Sequence, residues 1–143
     1  MNKKERVLST NYSNEGEVFE TLLELARYLR SPEGCPWDRK QTSLNFAKFA
    51  SEECEEYIAS IEKGNKNEIA EEFGDVLFTL LASAVACETE GNMNIFEALK
   101  KTHEKMIRRH NHVFGTNKAE TEEEAWDSWQ KIKEMERKER DNK

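Results

Sequence analysis

Five acidic residues, four of them arranged in two pairs, are the side chains of this sequence best placed to do chemistry. The pairs are Glu53 with Glu56 and Glu72 with Asp75, and Glu52 directly precedes the first pair. Residues three apart on an α-helix lie on the same side, one turn apart, so each pair points both carboxylates in one direction. Two such helices face to face would bring four negative charges together, and these repel strongly unless cations neutralise them. The spacing leaves two interpretations: the pairs lie apart in solvent, or they bind metal.

The position of Glu53 on a helical wheel favours metal binding. At about 100° per residue, Glu53 falls inside a continuous apolar arc and Glu56 lies at its edge. A carboxylate in the core-facing stripe of an amphipathic helix is costly unless it is paired or bound to metal. A run of acids such as residues 52–56 is ordinarily a solvated charge run. Here that interpretation holds for Glu52 and Glu55 alone.

The available ligands favour a hard cation. Di-iron carboxylate bundles use Glu-x-x-His pairs, and none of the three histidines, His103, His110 and His112, has a glutamate three residues before it. Carboxylate oxygens suit Mg²⁺, with Mn²⁺ as the alternative. Because proteins usually hold Mg²⁺ together with a substrate's phosphates, we expect a phosphate ester or anhydride as substrate, hydrolysed by metal-activated water. The isolated glycines exclude a P-loop or dinucleotide fingerprint.

Two further pairs of residues have the spacing of a shared helix face. Lys105 and Arg109 are four residues apart and suited to phosphate oxygens, although a basic helix C-terminus stabilised by the helix dipole is an equally good interpretation. Trp129 and Lys133 are also four apart, so an indole and an ammonium group could hold a base together. A tryptophan at helical spacing is more often part of a core, so this signal is weak when taken alone.

An all-α bundle of about five helices must position these residues. The helices are predicted from Ser13 or Asn14 to Arg30, from Thr42 or Ser43 to Lys63–Gly64, from residues 65–67 to Glu90, from Asn94 to His110, and from Thr121 into a charged tail at Lys138. A turn-rich loop at residues 31–38 holds both prolines, and a second loop covers residues 111–117. After Asp75 the third helix is apolar nearly all round, so either this chain or a second subunit must enclose it.

Length and composition indicate one domain, over residues 14–140, after a flexible polar arm over residues 1–13. The net charge of −7 argues against nucleic acid or an anionic membrane as partner. Cys35, Cys54 and Cys87 have no close pairing, which indicates a reducing cytoplasm, with the last two as small core residues. We expect neither a signal peptide nor a membrane span.

Four blocks, taken in order, resemble the MazG nucleotide pyrophosphohydrolases. The first contains Gly-Cys-Pro-Trp-Asp at residues 34–38 and the second is the acidic signature from Glu52 to Asp75. The third, residues 105–115, is similar to the family's Lys-Leu-Ile-Arg-Arg-His-Pro-His-Val-Phe-Gly, with Asn111 in place of proline, which implies a looser loop. The fourth is Trp-x-x-x-Lys at residues 129–133. The acidic signature alone is only moderately specific, but the four blocks together make the resemblance strong.

The resemblance implies an oligomeric all-α enzyme, a dimer or tetramer, that cleaves nucleoside triphosphates between the α and β phosphates. It implies that Mg²⁺ is held by Glu53, Glu56, Glu72 and Asp75. Glu52 and Glu53 are the expected catalytic residues, with Glu52 as a ligand or as the group that orients the attacking water. The substrate contacts implied are Lys105 and Arg109 on phosphates, Trp129 and Lys133 on the base, and Trp37 in the first block.

Two alternatives stay open. The first is a related all-α pyrophosphohydrolase of the dUTP/dCTP or phosphoribosyl-ATP type, although the block at residues 105–115 favours the MazG branch. The second is a non-catalytic helical dimer that binds a nucleotide or metal as a sensor, and the intact set of acids argues against it. Magnesium-dependent release of pyrophosphate distinguishes an enzyme from a sensor.

Overall fold

The computed structural model describes residues 1–116 and 118–142, and within these ranges it contains eight helices and no strand. In chain order the helices are α1 (Lys3–Leu8), α2 (Glu15–Arg30), α3 (Pro36–Lys40), α4 (Ser43–Lys63), α5 (Lys66–Thr89), α6 (Ile95–Arg109), α7 (Asn111–Phe114) and α8 (Glu122–Asp141). The five long helices correspond to the five that the sequence predicts. The all-α prediction is confirmed.

The predicted helix starts are confirmed where the sequence supplies a capping side chain. The side chains that accept a hydrogen bond from the first turn of their helix are those of Asn14, Thr42, Asn65 and Thr121. At Thr121 the cap lacks the reciprocal bond of a capping box. The Thr121 hydroxyl accepts from the Glu124 N–H at 3.1 Å, but the Glu124 carboxylate accepts from the N–H of Glu120 instead of that of Thr121.

Three short helices lie in segments that the sequence analysis left irregular. Helix α1 lies within the expected arm, is closed by reciprocal hydrogen bonds between Asn2 and Glu5, and packs on α2. Helix α3 begins at Pro36, whose fixed φ suits a first helical position. Helix α7 occupies part of the expected loop, and residue 117 lies outside the described residues. Helix α8 runs to Asp141, past Lys138, where the sequence predicts that the helix gives way to a charged tail. The flexibility of residues 1–13 stays a prediction.

The chain divides into two compact units, Met1–Ile95 and Phe96–Lys143. The first holds α1 to α5, and the second holds α6 from its second residue together with α7 and α8. The single domain over residues 14–140 stays a prediction.

Helix α5 is the centre of the first unit, with α2 on one side and α4 on the other. The cluster on the α2 side contains Ala26, Leu81, Val85 and Ile95, and the cluster on the α4 side contains Phe46, Ala82 and Ala86. The two α5 pairs are each four residues apart and offset by one position, so they occupy neighbouring stripes of the same helix. One stripe of α5 therefore packs on α4 and the neighbouring stripe packs on α2.

Within the first unit, the described residues leave one side of α5 uncovered. The exposed fraction is 54% for Phe73 and 51% for Leu80. Enclosure of this side by a second subunit stays a prediction. Cys54 is exposed and Cys87 is half-buried, so Cys54 is not the core residue that the sequence analysis expected. The reason is that within the unit α4 packs mainly on α5, which covers only part of its apolar arc.

Polar contacts fix the ends of these helices. The Glu90 carboxylate, just after α5, accepts hydrogen bonds from the Ser43 N–H at 2.9 Å and the Ser43 hydroxyl at 2.6 Å, which lowers the pKa of Glu90. Arg30 donates to the carbonyls of Asp38 and Gln41 at 2.9 and 2.8 Å, tying the α3 segment to α2.

None of the described helices is long and apolar enough to cross a membrane.

Candidate metal centre and cationic face

The turn between α4 and α5 sets the level of the acidic residues. Gly64 has φ 76°, in the left-handed region, and its N–H donates to the carbonyls of Ser60 and Ile61. Glu56 precedes Gly64 by eight residues and Glu72 follows it by eight. Because the two helices run back along each other from this turn, equal distances place the two glutamates at the same height.

Three of the predicted ligands come together at this level. One carboxylate oxygen each from Glu53, Glu56 and Glu72 lies within 4.8 Å of the other two. Glu53 and Glu72 are half-buried and Glu56 is exposed. The Oε2 atoms of Glu53 and Glu72 are both enclosed, and neither has a hydrogen-bond donor among the described residues. Enclosed carboxylate oxygens without donors are costly, and a divalent cation would satisfy them, so these residues fit a metal.

The pKa values of these acids indicate the same need for a cation. Burial, followed by the neighbouring Glu56, Glu72 and Asp75 carboxylates, raises the pKa of Glu53 from 4.5 to about 7. Burial and the charge of Glu56 raise the pKa of Glu72 as well. Every cause acting on Glu53 raises its pKa. A bound cation would reverse that balance and keep both groups ionised.

Asp75 and Glu52 stand at the edge of this arrangement. Asp75 is exposed and does not belong to the close group, but its charge contributes to the raised pKa of both Glu53 and Glu72. Glu52 is exposed and lies outside the close group. The ligand role of Asp75 and the catalytic role of Glu52 stay predictions.

Trp37 is held against α4 by aromatic contacts. Its ring stacks on Phe49 with centroids 6.0 Å apart and planes at 20°, and meets the edge of Phe46 at 6.0 Å. Phe49 lies one turn before Glu53 on α4. Half of the Trp37 surface, 54%, remains exposed. A substrate contact through this residue stays a prediction.

In the second unit, Arg109 and Trp129 are in contact, and the substrate roles of Lys105, Arg109, Trp129 and Lys133 stay predictions. The guanidinium carbon of Arg109 lies 5.5 Å from the centroid of the Trp129 ring, within cation–π distance. Arg109 and Lys133 line one pocket of about 300 Å³. Lys105 is half-buried, one helical turn before Arg109. The structure thus brings Arg109, Trp129 and Lys133 to one face.

The sequence analysis missed Glu136, which organises this face. Its Oε2 accepts from Nε and Nη2 of Arg109 at 3.1 and 2.9 Å, and its Oε1 accepts from Nε of Arg108 at 2.7 Å. These bonds, from Arg109 first, lower the pKa of Glu136. The Arg108 side chain is 53% exposed but forms this ion pair. The available signal was spacing, since Glu136 lies three residues after Lys133 and seven after Trp129.

A wider cleft, of about 830 Å³, lies at the start of α8. His110 meets the edge of the Trp129 ring at 5.1 Å, and its Nδ1 is 2.6 Å from the Met106 carbonyl oxygen. The His112 ring lies 5.4 Å from His110, and its Nδ1 is enclosed without a partner among the described residues. Trp129 therefore lines this cleft and is also the residue that contacts Arg109.

Several known proteins are similar to most of this chain. A family model described as the MazG nucleotide pyrophosphohydrolase domain matches residues 41–114. The Thermotoga maritima protein named nucleoside triphosphate pyrophosphohydrolase/pyrophosphatase MazG is 38% identical over 122 residues, which are 85% of this chain and 46% of that protein. The Escherichia coli K12 protein named nucleoside triphosphate pyrophosphohydrolase is 34% identical over 119 residues, covering 82% of this chain and 45% of that protein.

Two further known proteins are similar to most of this chain. A Bacillus subtilis protein named YabN is 40% identical over 119 residues, which are 83% of this chain and 24% of that protein. The chain therefore spans less than half the length of these curated relatives. The crystal structure of a mazG-related protein from Thermotoga maritima has a TM-score of 0.70 at 29% identity, covering 80% of this chain and 98% of the other. Because the family model matches more than half of the 143 residues, the chain belongs to the MazG family, as its four sequence blocks predicted.

Proposed function

We propose that this protein is a Mg²⁺-dependent nucleoside triphosphate pyrophosphohydrolase, with Mn²⁺ as a possible substitute ion. The observation that carries the proposal is the group formed by Glu53, Glu56 and Glu72, whose oxygens converge within 4.8 Å. Two of the three residues have an enclosed oxygen without a donor, in a chain of the MazG family. The curated relatives named as nucleoside triphosphate pyrophosphohydrolases support the same reaction class.

In the proposed reaction, water breaks the anhydride bond between the α and β phosphates and yields a nucleoside monophosphate and pyrophosphate. The ion would be held by Glu53, Glu56 and Glu72, together with Asp75. Bound Mg²⁺ would lower the pKa of a water molecule and offset charge on the leaving pyrophosphate. Glu52, exposed beside the ligands, orients the attacking water, and a glutamate of the 52–53 pair accepts its proton.

The cationic face of the second unit is proposed to bind the nucleotide. Arg109 is already held in place by Glu136 and Trp129, so it loses little conformational freedom when a phosphate binds. Lys105 is assigned to the phosphates as well, and Lys133 to the base, which stacks against Trp129. Trp37 is assigned to the substrate from the first unit.

A homo-oligomer in a reducing cytoplasm is part of the same proposal. Phe73 and Leu80 expose more than half of their surface on the central helix of the first unit, and a second copy would cover them. The cysteines are free thiols, which suits a reducing compartment.

The reaction is tested by incubating the full chain with a panel of ribo-, deoxyribo- and modified nucleoside triphosphates, with Mg²⁺, with Mn²⁺ or with EDTA. We expect equal amounts of pyrophosphate and monophosphate, formed with metal and abolished by the chelator. Release of orthophosphate instead would contradict cleavage between the α and β phosphates. Turnover that persists in EDTA would contradict the metal centre, and no turnover of any nucleotide by well-folded protein would favour the sensor alternative.

A further inference from the structure

A small pocket between α1 and α2 lies away from the acidic residues of the proposed metal centre. Arg27, which lines this pocket, pairs with Glu88 at 3.2 Å. Glu88 follows Glu72 on α5 by 16 residues, which is about 24 Å along the helix axis. Every residue that lines the pocket also precedes residue 41, where the match to the family model begins. The pocket is therefore a separate feature of this chain.

The pocket is built from one face of each helix. Its volume is about 250 Å³, below the usual range for drug-sized ligands, so it suits a smaller molecule. On each helix the lining residues are spaced i, i+3 and i+4, which places them on a shared face. Helix α1 contributes Lys3, Arg6 and Val7, and α2 contributes Glu24, Arg27 and Tyr28. The packing of α1 on α2 therefore brings charges of both signs around one space.

The charges around this space do not neutralise one another. Arg27 pairs with Glu88, outside the pocket, and Glu33 accepts a hydrogen bond from the Ser31 hydroxyl at 3.3 Å. The other three charged side chains of the lining form no ion pair and no hydrogen bond within the described part of the chain, and they are those of Lys3, Arg6 and Glu24.

Glu24 is the most constrained of these three residues, because it is half-buried whereas the two cations are exposed. A partly buried carboxylate without a partner is costly, since it has lost water without gaining a donor. Two cations line the same pocket but lie beyond ion-pair distance of it. Opposite charges held apart around a cavity favour a ligand that carries both signs and bridges them.

We propose that this pocket binds an acidic amino acid, with its two carboxylates on Arg6 and Lys3 and its ammonium group on Glu24. Two cations and one carboxylate are complementary to a ligand that has two carboxylates and one ammonium group. A simple anion would be repelled by Glu24, and a simple amine would be repelled by the two cations. The guanidinium group of Arg6 can hold a carboxylate through two parallel hydrogen bonds. Val7 and Tyr28 offer an apolar wall to the methylene groups of the ligand.

The test is a calorimetric titration of the full chain with L-glutamate and with L-aspartate, at low ionic strength. We expect at least one of them to bind, and Lys3→Gln to weaken that binding roughly tenfold, as for one charge-assisted hydrogen bond. Lys4→Gln is the matched control, because it removes the same charge from the neighbouring exposed position of α1, outside the pocket. The proposal is wrong if neither amino acid binds at millimolar concentration, or if the two variants weaken binding equally.

The ammonium contact is tested by comparing each amino acid with the dicarboxylate that lacks its amine, glutarate for L-glutamate and succinate for L-aspartate. Glu24→Gln should weaken the amino acid roughly tenfold but tighten the dicarboxylate, because it removes a contact from the first and a repulsion from the second. Glu20→Gln, exposed on α2 outside the pocket, should change neither. A dicarboxylate that binds the natural protein as tightly as its amino acid would overturn the proposal, as would weakening of both ligands by Glu24→Gln.

Hydrogen exchange locates the bound ligand on the chain. The backbone N–H groups of Arg6 and Ser9 form hydrogen bonds within α1, and a ligand that joins α1 to α2 should slow their exchange several-fold. The N–H of Ile69 in α5 is the control and should not change. Binding that leaves exchange in α1 unaltered would place the ligand elsewhere and refute this site.

Circular dichroism of each variant checks that the helices are intact. The titrations contain neither metal nor nucleotide, so a negative result would count against this site alone and leave the proposed function standing.

Discussion

At the scale of single residues, Glu53 must be both enclosed and ionised. The packing of α4 against α5 encloses its Oε2, while the proposed chemistry needs its negative charge. In the protein without metal, burial raises the pKa of Glu53 from 4.5 to about 7. The fold alone therefore shifts the equilibrium towards the protonated carboxyl group, and a bound cation would shift it back towards the charged form.

The first prediction concerns the pH dependence of stability without metal. The pKa of Glu53 rises from 4.5 to about 7 on folding, so its contribution to stability is full below about pH 4.5 and is lost as the pH rises through 7. In EDTA, we expect the melting temperature to fall between pH 5 and pH 7.5, with a smaller fall for Glu53→Gln. Thermal unfolding followed by circular dichroism measures both, and an unchanged slope in the variant would contradict the raised pKa.

The second prediction concerns catalysis by the acids. Glu53→Gln and Asp75→Asn keep the side-chain size but remove a ligand charge, and each should lower kcat/KM by more than roughly 100-fold. Glu55→Gln is the matched control, since Glu55 is exposed on the same helix and outside the close group. Pyrophosphate release measures the loss. Near-normal activity in both ligand variants would remove the basis for the metal centre.

At the scale of elements, the α4–α5 hairpin depends on its two glycines in opposite ways. Gly64 has a φ of 76°, where other residues are strained, whereas Gly74 lies within α5 with nothing within 4 Å of an added Cβ atom. We expect Gly64→Ala to lower the free energy of unfolding by about 1–2 kcal/mol. Gly74→Ala should raise it by up to about 1 kcal/mol through helix propensity. Chemical denaturation of both variants tests the pair, and effects of the same sign would contradict this account.

Helix ends were predictable from the sequence because capping is local. Thr42 and Asn65 each bond to backbone groups a few residues away, so the sequence contains the whole interaction. The inward position of Glu53 was predictable for a similar reason, since it depends on the rotation along one helix. Within the site, three of the four predicted ligands meet closely, while the position of Asp75 beside them depends on how the helices pack.

What the sequence did not determine is how completely each apolar face is covered. Ile58 and Ile61 belong to the predicted apolar arc of α4 but are 51% and 50% exposed, because their coverage depends on which elements pack there. Glu136 was missed for a related reason. Its spacing on α8 was visible, but its partners Arg108 and Arg109 belong to another helix.

At the scale of the whole molecule, the exposed side of α5 predicts association. Phe73 and Leu80 are large, apolar and more than half exposed. We expect a mass at least twice 16.7 kDa by light scattering coupled to gel filtration, and dissociation in Leu80→Glu. Leu8→Glu is the control, because Leu8 is 68% exposed at the end of α1. A monomeric natural protein at tens of micromolar would contradict this.

The equal arms of the α4–α5 hairpin also limit how this chain can change in length. Inserting one residue between Glu56 and Gly64 would rotate every position on one side of the insertion by about 100° relative to the other, carrying the acids of that arm away from their partners. Adding seven residues to each arm would lengthen the hairpin by two turns and return the acids nearly to their original phase. The two arms of the hairpin can therefore change length without displacing the acids only if both gain or lose about seven residues, which is two helical turns.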